Sequence, residues 1–263
     1  LGDRVTDVVE SVTKPTRCAK TSTGTSSPCG ACAHEPPRDD ASRYTQSCHA
    51  ARRAPVVKIF VTGGAGFIGS NYARWVLRHT DHSITVYDAL TYAGNLSTLR
   101  DLDDNPRFSF VKGNICHPGD LEQAMKGHDW VVHFAAESHV DRSIESGEDF
   151  ILTNCFGTNV VIDTARRLGM QRVLHIGTDE VYGSVETGSS KETDPLEPRS
   201  PYSASKAGSD LIALSYHTTH GTPVLVTRCT NNFGPYQYPE KAIPLFTTNL
   251  LDGKKIPLYG DGL

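Results

Sequence analysis

The sequence predicts a doubly wound parallel α/β fold. Short apolar runs recur from residue 56 onward, helical stretches lie between them, and a glycine cluster follows the first run directly. Strand and helix in alternation call for a parallel sheet covered on both faces. Such strands are buried on both sides, so continuous apolar runs suit them better than strict apolar-polar alternation. At 263 residues the chain has room for one large α/β domain, or for one domain plus part of another.

The elements follow in order. VVKIFV (56–61) is the first strand, and TGGAGFIGS (62–70) comes straight after it, opening a helix through Tyr72, Trp75, Val76 and Leu77. Gly64, Gly66 and Gly69 stand in GxGxxG spacing, and Gly63, Gly66 and Gly69 equally in GxxGxxG spacing. Such spacing alone is a weak signal. Between a strand and a helix it gains weight, because the backbone can approach a pyrophosphate resting on the helix N-terminus. SITVYD (83–88) is the second strand, and Asp88 ends it nineteen positions after Gly69. A carboxylate there accepts hydrogen bonds from the adenosine ribose hydroxyls and repels a 2′-phosphate, so NAD is expected over NADP. RFSFV (107–111), WVVHFAA (130–136), RVLHIGT (172–178) and PVLVTRC (223–229) complete the strands, with helices expected near 118–126, 148–168 and 201–220. The expected fold is thus a Rossmann-type sheet whose ligands bind beyond the carboxyl ends of its strands.

Two motifs fall where that rule puts chemistry. HIGTDEVYG (175–183) sets Asp179 and Glu180 side by side just past a strand, although an unpartnered carboxylate is costly to desolvate. SPYSASK (200–206) offers Ser200 as a helix N-cap and Pro201 at the first helical position. Tyr202 and Lys206 then lie four apart on one helical face. A nearby cation favours a phenolate, so the lysine is expected to ready the tyrosine as a base. A tyrosine-lysine pair of this kind is common by chance and gains meaning only after a dinucleotide fingerprint.

Charge and composition narrow the function. The formal net charge is −4 with both signs interspersed, which gives neither a basic stripe for nucleic acid nor a polybasic patch for a membrane surface. No stretch approaches the ~18 apolar residues of a spanning helix, the first residues lack a signal-type apolar core, and a cytosolic protein is expected. Residues 1–54 are rich in Ser, Thr, Pro, Arg and Asp without apolar periodicity, and are expected to be a disordered or non-native extension. The first residue is Leu1, and a natural start near Val56 or Val57 is expected. CGAC (29–32), with Cys18, Cys48, His34 and His49 nearby, has zinc-site or redox-pair readings, but a lone CxxC is weak and no metal is expected. Cys116, Cys155 and Cys229 look like reduced core residues.

TGGAGFIG, the Tyr202/Lys206 pair and the strand-end Thr178 resemble the extended short-chain dehydrogenase/reductase family that modifies nucleotide sugars. Within it, LTYAGNL (90–96), AAESHVDRSI (135–144), TDEVYG (178–183), SPYSASKAGSD (200–210) and NNFGPYQYPEK (231–241) are together similar to the dTDP-glucose 4,6-dehydratases. The resemblance covers essentially everything from residue 56 onward. An epimerase of this family needs only the tyrosine and NAD, whereas a dehydratase must also remove water, for which adjacent carboxylates supply a base and an acid. The resemblance implies that Tyr202 takes the C4 hydroxyl proton while NAD takes hydride from C4. Glu180 then removes the C5 proton, Asp179 protonates the departing C6 hydroxyl, hydride returns to C6, and Thr178 holds the C4 oxygen. The net reaction is that of an NAD-dependent lyase. Another nucleotide-sugar dehydratase or epimerase, or a chain that only binds NAD, is the alternative.

The resemblance further implies cofactor contacts from Gly63, Gly66, Phe67, Ile68, Gly69, Asp88, Leu90, Thr91, Asn114, Ile115, Ala135, Ala136, Tyr202, Lys206 and Asn232. Substrate contacts are implied for Ser138, His139, Thr178, Asn231, Lys241 and Tyr259. Asn114 stands where the family usually has an aspartate against the adenine amino group, so weaker cofactor binding is expected. A homodimer is implied, with Ala207, Leu211 and Leu214 as candidate contacts. The expected division is a NAD-binding domain over 55–230 and the start of a sugar-nucleotide domain over 231–263. The chain ends at YGDGL, just before the family's Arg-Asp-Trp segment, and little dehydratase activity is expected of residues 1–263 by themselves.

Overall fold

The computed structural model describes residues 55–258, and the expectations for residues 1–54 and for Tyr259 lie outside that range. Six parallel strands form one sheet: β1 (Lys58–Thr62), β2 (Ser83–Asp88), β3 (Phe108–Lys112), β4 (Trp130–His133), β5 (Arg172–Thr178) and β6 (Val224–Cys229). Their order is β3-β2-β1-β4-β5-β6. β1 pairs with both β2 and β4, so the strand order reverses there and a crevice opens beyond its carboxyl end. Every strand matches an apolar run of the sequence to within a few residues.

The helices are α1 (Phe67–His79), α2 (Pro118–Met125), α3 (Val140–Glu145), α4 (Glu148–Phe150), α5 (Thr158–Arg167), α6 (Pro201–His220) and α7 (Ala242–Leu251). α6 begins with a reciprocal cap: Ser200 Oγ accepts from the Ser203 amide at 3.1 Å and Ser203 Oγ accepts from the Ser200 amide at 2.9 Å. It ends at Gly221, whose φ of +67° is the left-handed stop that glycine tolerates. The helix expected over 148–168 is not uniform. Its middle, Ile151–Gly157, is π-helical, an insertion often found at functional sites. There the buried Asn154 donates to Glu137 O at 3.0 Å and Ser205 Oγ at 2.8 Å, pinning the loop after β4 to α6. α3, α7 and the 3₁₀ turns Leu96–Leu102 and Asp179–Tyr182 were not expected as elements.

Phe60, Tyr87, Leu121, Met125, Val131, Val161, Ile162 and Val173 join strands and helices in one core. Each such side chain contributes about 1.5–3 kcal/mol on full burial, which holds the sheet rigid beneath the loops at its carboxyl edge.

Candidate active site

Those loops enclose a cleft of about 640 Å³ above the crevice. Its floor is the glycine turn. Gly63 has φ +72°, and a Cβ there would sit 2.5 Å from the Ala135 amide nitrogen; one on Gly69 would sit 2.5 Å from Gly63 O. These two glycines serve the packing of β1, α1 and the β4 loop. Gly66 differs: a Cβ would meet nothing closer than 3.4 Å. The room above it belongs to the cleft. Gly66 also caps α1 without a side-chain hydrogen bond, and the first helical turn carries no acidic residue. The helix N-terminus therefore offers its amides and partial positive charge to an anion.

Asp88 stands at the end of β2 on the cleft wall, nearly buried. Its Oδ2 accepts from the Ala65 amide at 2.9 Å and its Oδ1 from the Leu90 amide at 2.8 Å. Burial raises its pKa, and these two bonds oppose the rise. Each carboxylate oxygen keeps a second lone pair for a ligand hydroxyl.

Across the cleft, β5 ends at Thr178, whose Oγ1 accepts from the Glu180 amide at 3.3 Å and lies 3.5 Å from Asp179 Oδ1. The strand thus turns at once into the 3₁₀ turn with both carboxylates at its start. Tyr202, on the first turn of α6, is mostly buried, with its hydroxyl beside Thr178. Its phenol is pushed well above its usual range, first by burial and then by the charge of Glu180, with Thr178 acting the other way. Lys206 is buried, and its Nζ donates to Ile176 O at 2.7 Å. The expectation that this lysine lowers the tyrosine needs correcting here: its ammonium is engaged on the β5 backbone, while burial and Glu180 hold the phenol up. Burial lowers the lysine itself, with Asp210 as the strongest opposing influence. Glu180 is raised by partial burial, lowered by Lys241 and raised by Asp179. One cleft therefore holds a dinucleotide-type floor, a tyrosine-lysine pair and a strand-end carboxylate.

A family model described as GDP-mannose 4,6 dehydratase matches residues 60–263. The chain belongs to that family. It resembles dTDP-glucose 4,6-dehydratase of Actinoplanes sp., with 55% identity over 78% of this chain and 66% of the relative. The DesIV dTDP-glucose 4,6-dehydratase of Streptomyces venezuelae, solved with NAD and TYD bound, is 54% identical with a TM-score of 0.77, covering 78% of this chain and 66% of that one. UDP-glucuronic acid 4-epimerase from Bacillus cereus, solved with UDP-glucuronic acid and NAD, is 27% identical with a TM-score of 0.74 over 78% of this chain and 67% of the other. The chain thus spans just under two thirds of the length of the dehydratases it matches.

In this GDP-mannose 4,6 dehydratase family member the cleft gathers most of the residues expected from sequence. Gly63, Gly66, Phe67, Ile68, Gly69, Asp88, Thr91, Asn114, Ile115, Ala135, Ala136, Ser138, Thr178, Glu180, Tyr202, Lys206, Asn231, Asn232 and Lys241 line it. Leu90, His139 and Asp179 are not on its wall. Leu90 acts through its amide on Asp88, at a left-handed φ of 55°. The imidazole of His139 faces Glu240, with Nε2 3.6 Å from the carboxylate. Asp179 sits beside Thr178 at the turn. Asn114 does line the cleft, but its amide oxygen also accepts from the Cys116 amide at 2.9 Å, closing a local turn.

Sequence reading missed Glu137, Cys229, Gln237, Tyr238 and Glu240, which share the wall. Cys229 is no plain core residue: it pairs in register with Thr178 at the strand ends. Because β5 and β6 are parallel neighbours, that pairing follows from topology and could have been found by aligning the two apolar runs.

Proposed function

We propose that the full-length protein is an NAD-dependent dTDP-glucose 4,6-dehydratase yielding dTDP-4-dehydro-6-deoxy-glucose and water. The observation that carries this reading is Glu180 on the same cleft wall as Thr178, Tyr202 and Lys206, with Asp179 beside it. Epimerisation at C4 has no need of those carboxylates. Names and bound molecules of the relatives support the nucleotide sugar and the cofactor. The open space above Gly66, the uncapped α1 and Asp88 fit the pyrophosphate and ribose of NAD.

When bound, NAD supplies the acceptor for hydride from C4 and its return to C6. Tyr202 accepts the C4 hydroxyl proton and Thr178 orients that oxygen. Glu180 removes the C5 proton, acidified by the neighbouring ketone, Asp179 gives a proton to the C6 hydroxyl as it leaves as water, and Glu180 returns a proton to C5 once C6 is reduced. Ser138, Asn231 and Lys241 orient the sugar nucleotide, with His139 and Tyr259 assigned to the same task by resemblance. The natural test is conversion of dTDP-glucose by the purified full-length protein, followed by mass spectrometry for loss of one water. An epimerised product of unchanged mass would overturn the reading.

The role of Asp88 makes a separate prediction. NAD should bind more tightly than NADP, and Asp88→Ala should shrink the ratio of their dissociation constants by roughly tenfold, on the scale of one hydrogen bond to a charged group. The ratio is the right readout, because losing the bonds to Ala65 and Leu90 would loosen the loop for both cofactors alike. Equal affinities in the unmutated protein would refute the ribose role.

The protein is further inferred to act in the cytoplasm as a homodimer. Among the described residues no helix is long and apolar enough to cross a membrane. Ile151, Leu152 and Phe156 of the π segment and Leu211 of α6 are each about half exposed. Ile151, Leu152 and Phe156 line an apolar hollow together with Ala204, which a second copy would cover, and Leu211 lies about two helical turns beyond Ala204 on α6. Of the contacts expected from sequence, Leu211 and Leu214 are exposed, but Ala207 is buried inside the chain, so the face turns toward Ala204 instead. Leu211→Arg should convert a sedimenting dimer to a monomer of half the mass; an unmutated protein that already sediments as a monomer would sink the idea.

A further inference from the structure

Asp210 lies two helical turns beyond Tyr202 and one beyond Lys206, on the inner face of α6, and is fully buried. A carboxylate in such a place demands partners. Its Oδ2 accepts from Arg228 Nε at 2.8 Å, while His175 Nε2 stands 3.3 Å from Oδ1. The sheet makes room for this contact. Arg228 pairs in register with Gly177, and a Cβ on Gly177 would stand 2.8 Å from Asp210 Oδ1. Any side chain there would drive the carboxylate away from the arginine.

The rest of the guanidinium points toward the turn after β5. Its Nη1 donates to the Tyr182 hydroxyl at 2.6 Å and to Glu192 O at 3.4 Å, and its Cζ lies 5.0 Å from the centre of the Tyr182 ring. Tyr182 closes the turn that begins with Asp179 and Glu180. We propose that Arg228 is a positioning residue for elimination, bridging Asp210 and Tyr182 so that the carboxylate turn is held against the helix bearing Tyr202 and Lys206. The inference rests on the dehydratase reading of that turn. A planar fork with several donors can serve both partners at once, which a lysine ammonium could not do with the same geometry.

Stability alone could also account for a buried ion pair, so the test must separate the two roles. Tyr182→Phe removes one hydroxyl and leaves the Asp210–Arg228 pair whole. In the full-length protein it should lower kcat about tenfold, the scale of one charge-assisted hydrogen bond, with KM and NAD affinity within about twofold. Solvent deuterium incorporation at the sugar C5 should slow in step with kcat. Amide hydrogen exchange over 178–183 should quicken while that of α6 stays unchanged. Arg228→Lys should reproduce this pattern if it folds, and Tyr182→Phe suffices if it does not. Unmutated kcat, or a lowered kcat with unchanged exchange over 178–183, would overturn the bridge. If the unmutated protein fails to convert dTDP-glucose, the dehydratase reading falls, and amide exchange in Tyr182→Phe still decides whether Arg228 holds the turn.

Discussion

Tyr202→Phe is expected to cut turnover of dTDP-glucose by about 10²–10⁴-fold, the usual contribution of a positioned acid-base group. The substitution is informative because so little else changes. The ring of Tyr202 packs edge-on to Phe150 with centroids 6.3 Å apart, a contact phenylalanine keeps. What disappears is only the hydroxyl beside Thr178. NAD affinity should therefore stay within a few-fold while kcat collapses. The phenol is held high by burial first and by Glu180 second, so in the unmutated protein the tyrosine-dependent step should quicken as pH rises toward that displaced pKa. The mutant should lose this dependence. Retained turnover, measured as product formed in a single cycle, would remove Tyr202 from its role.

How much of this could be read in advance follows from which contacts are local. The six strands were legible because each is a short apolar run between polar segments, and α6 because its cap residues Ser200 and Pro201 are adjacent in sequence. The glycine floor and Asp88 were legible through spacing along a single strand-turn-helix-strand unit. By contrast, α7 reads as an apolar stretch with proline near its start, and in the structure it buries none of its residues, so periodicity had no face to reveal. The π segment was hidden because its buried Asn154 meets Glu137 and Ser205, residues far from it in sequence. The same holds for Arg228, which meets Tyr182 and Asp210 only once β6 lies beside β5. The engagement of Lys206 by Ile176 O was likewise invisible: helical spacing puts the lysine on the tyrosine's face, but the strand beneath decides where its ammonium rests.

The carboxylates should separate when each loses its charge. Glu180→Gln is expected to stop solvent exchange at C5, lowering overall turnover by about 10²–10⁴-fold, while loss of the C4 proton survives. That survival has a physical reason beyond distance: Glu180 is the second cause of the raised Tyr202 phenol, so neutralising it should ease deprotonation there and move the oxidation step to lower pH. Asp179→Asn should instead retain C5 exchange and slow departure of the C6 hydroxyl. The pH profile supplies an independent sign. A base must be ionised to act, so turnover on the acidic side should rise as pH passes through the Glu180 pKa, which partial burial lifts above the ordinary glutamate value. Lys241 opposes that lift, and Lys241→Met should carry the acidic limb to higher pH; Asp179 adds to it, and Asp179→Asn should carry the limb to lower pH. Deuterium incorporation at C5, followed against pH for the three variants, tests every part of this. If Glu180→Gln and Asp179→Asn lose exchange alike, or if the limb moves the same way in Lys241→Met and Asp179→Asn, then Glu180 is not the base and the two carboxylates act as one unit.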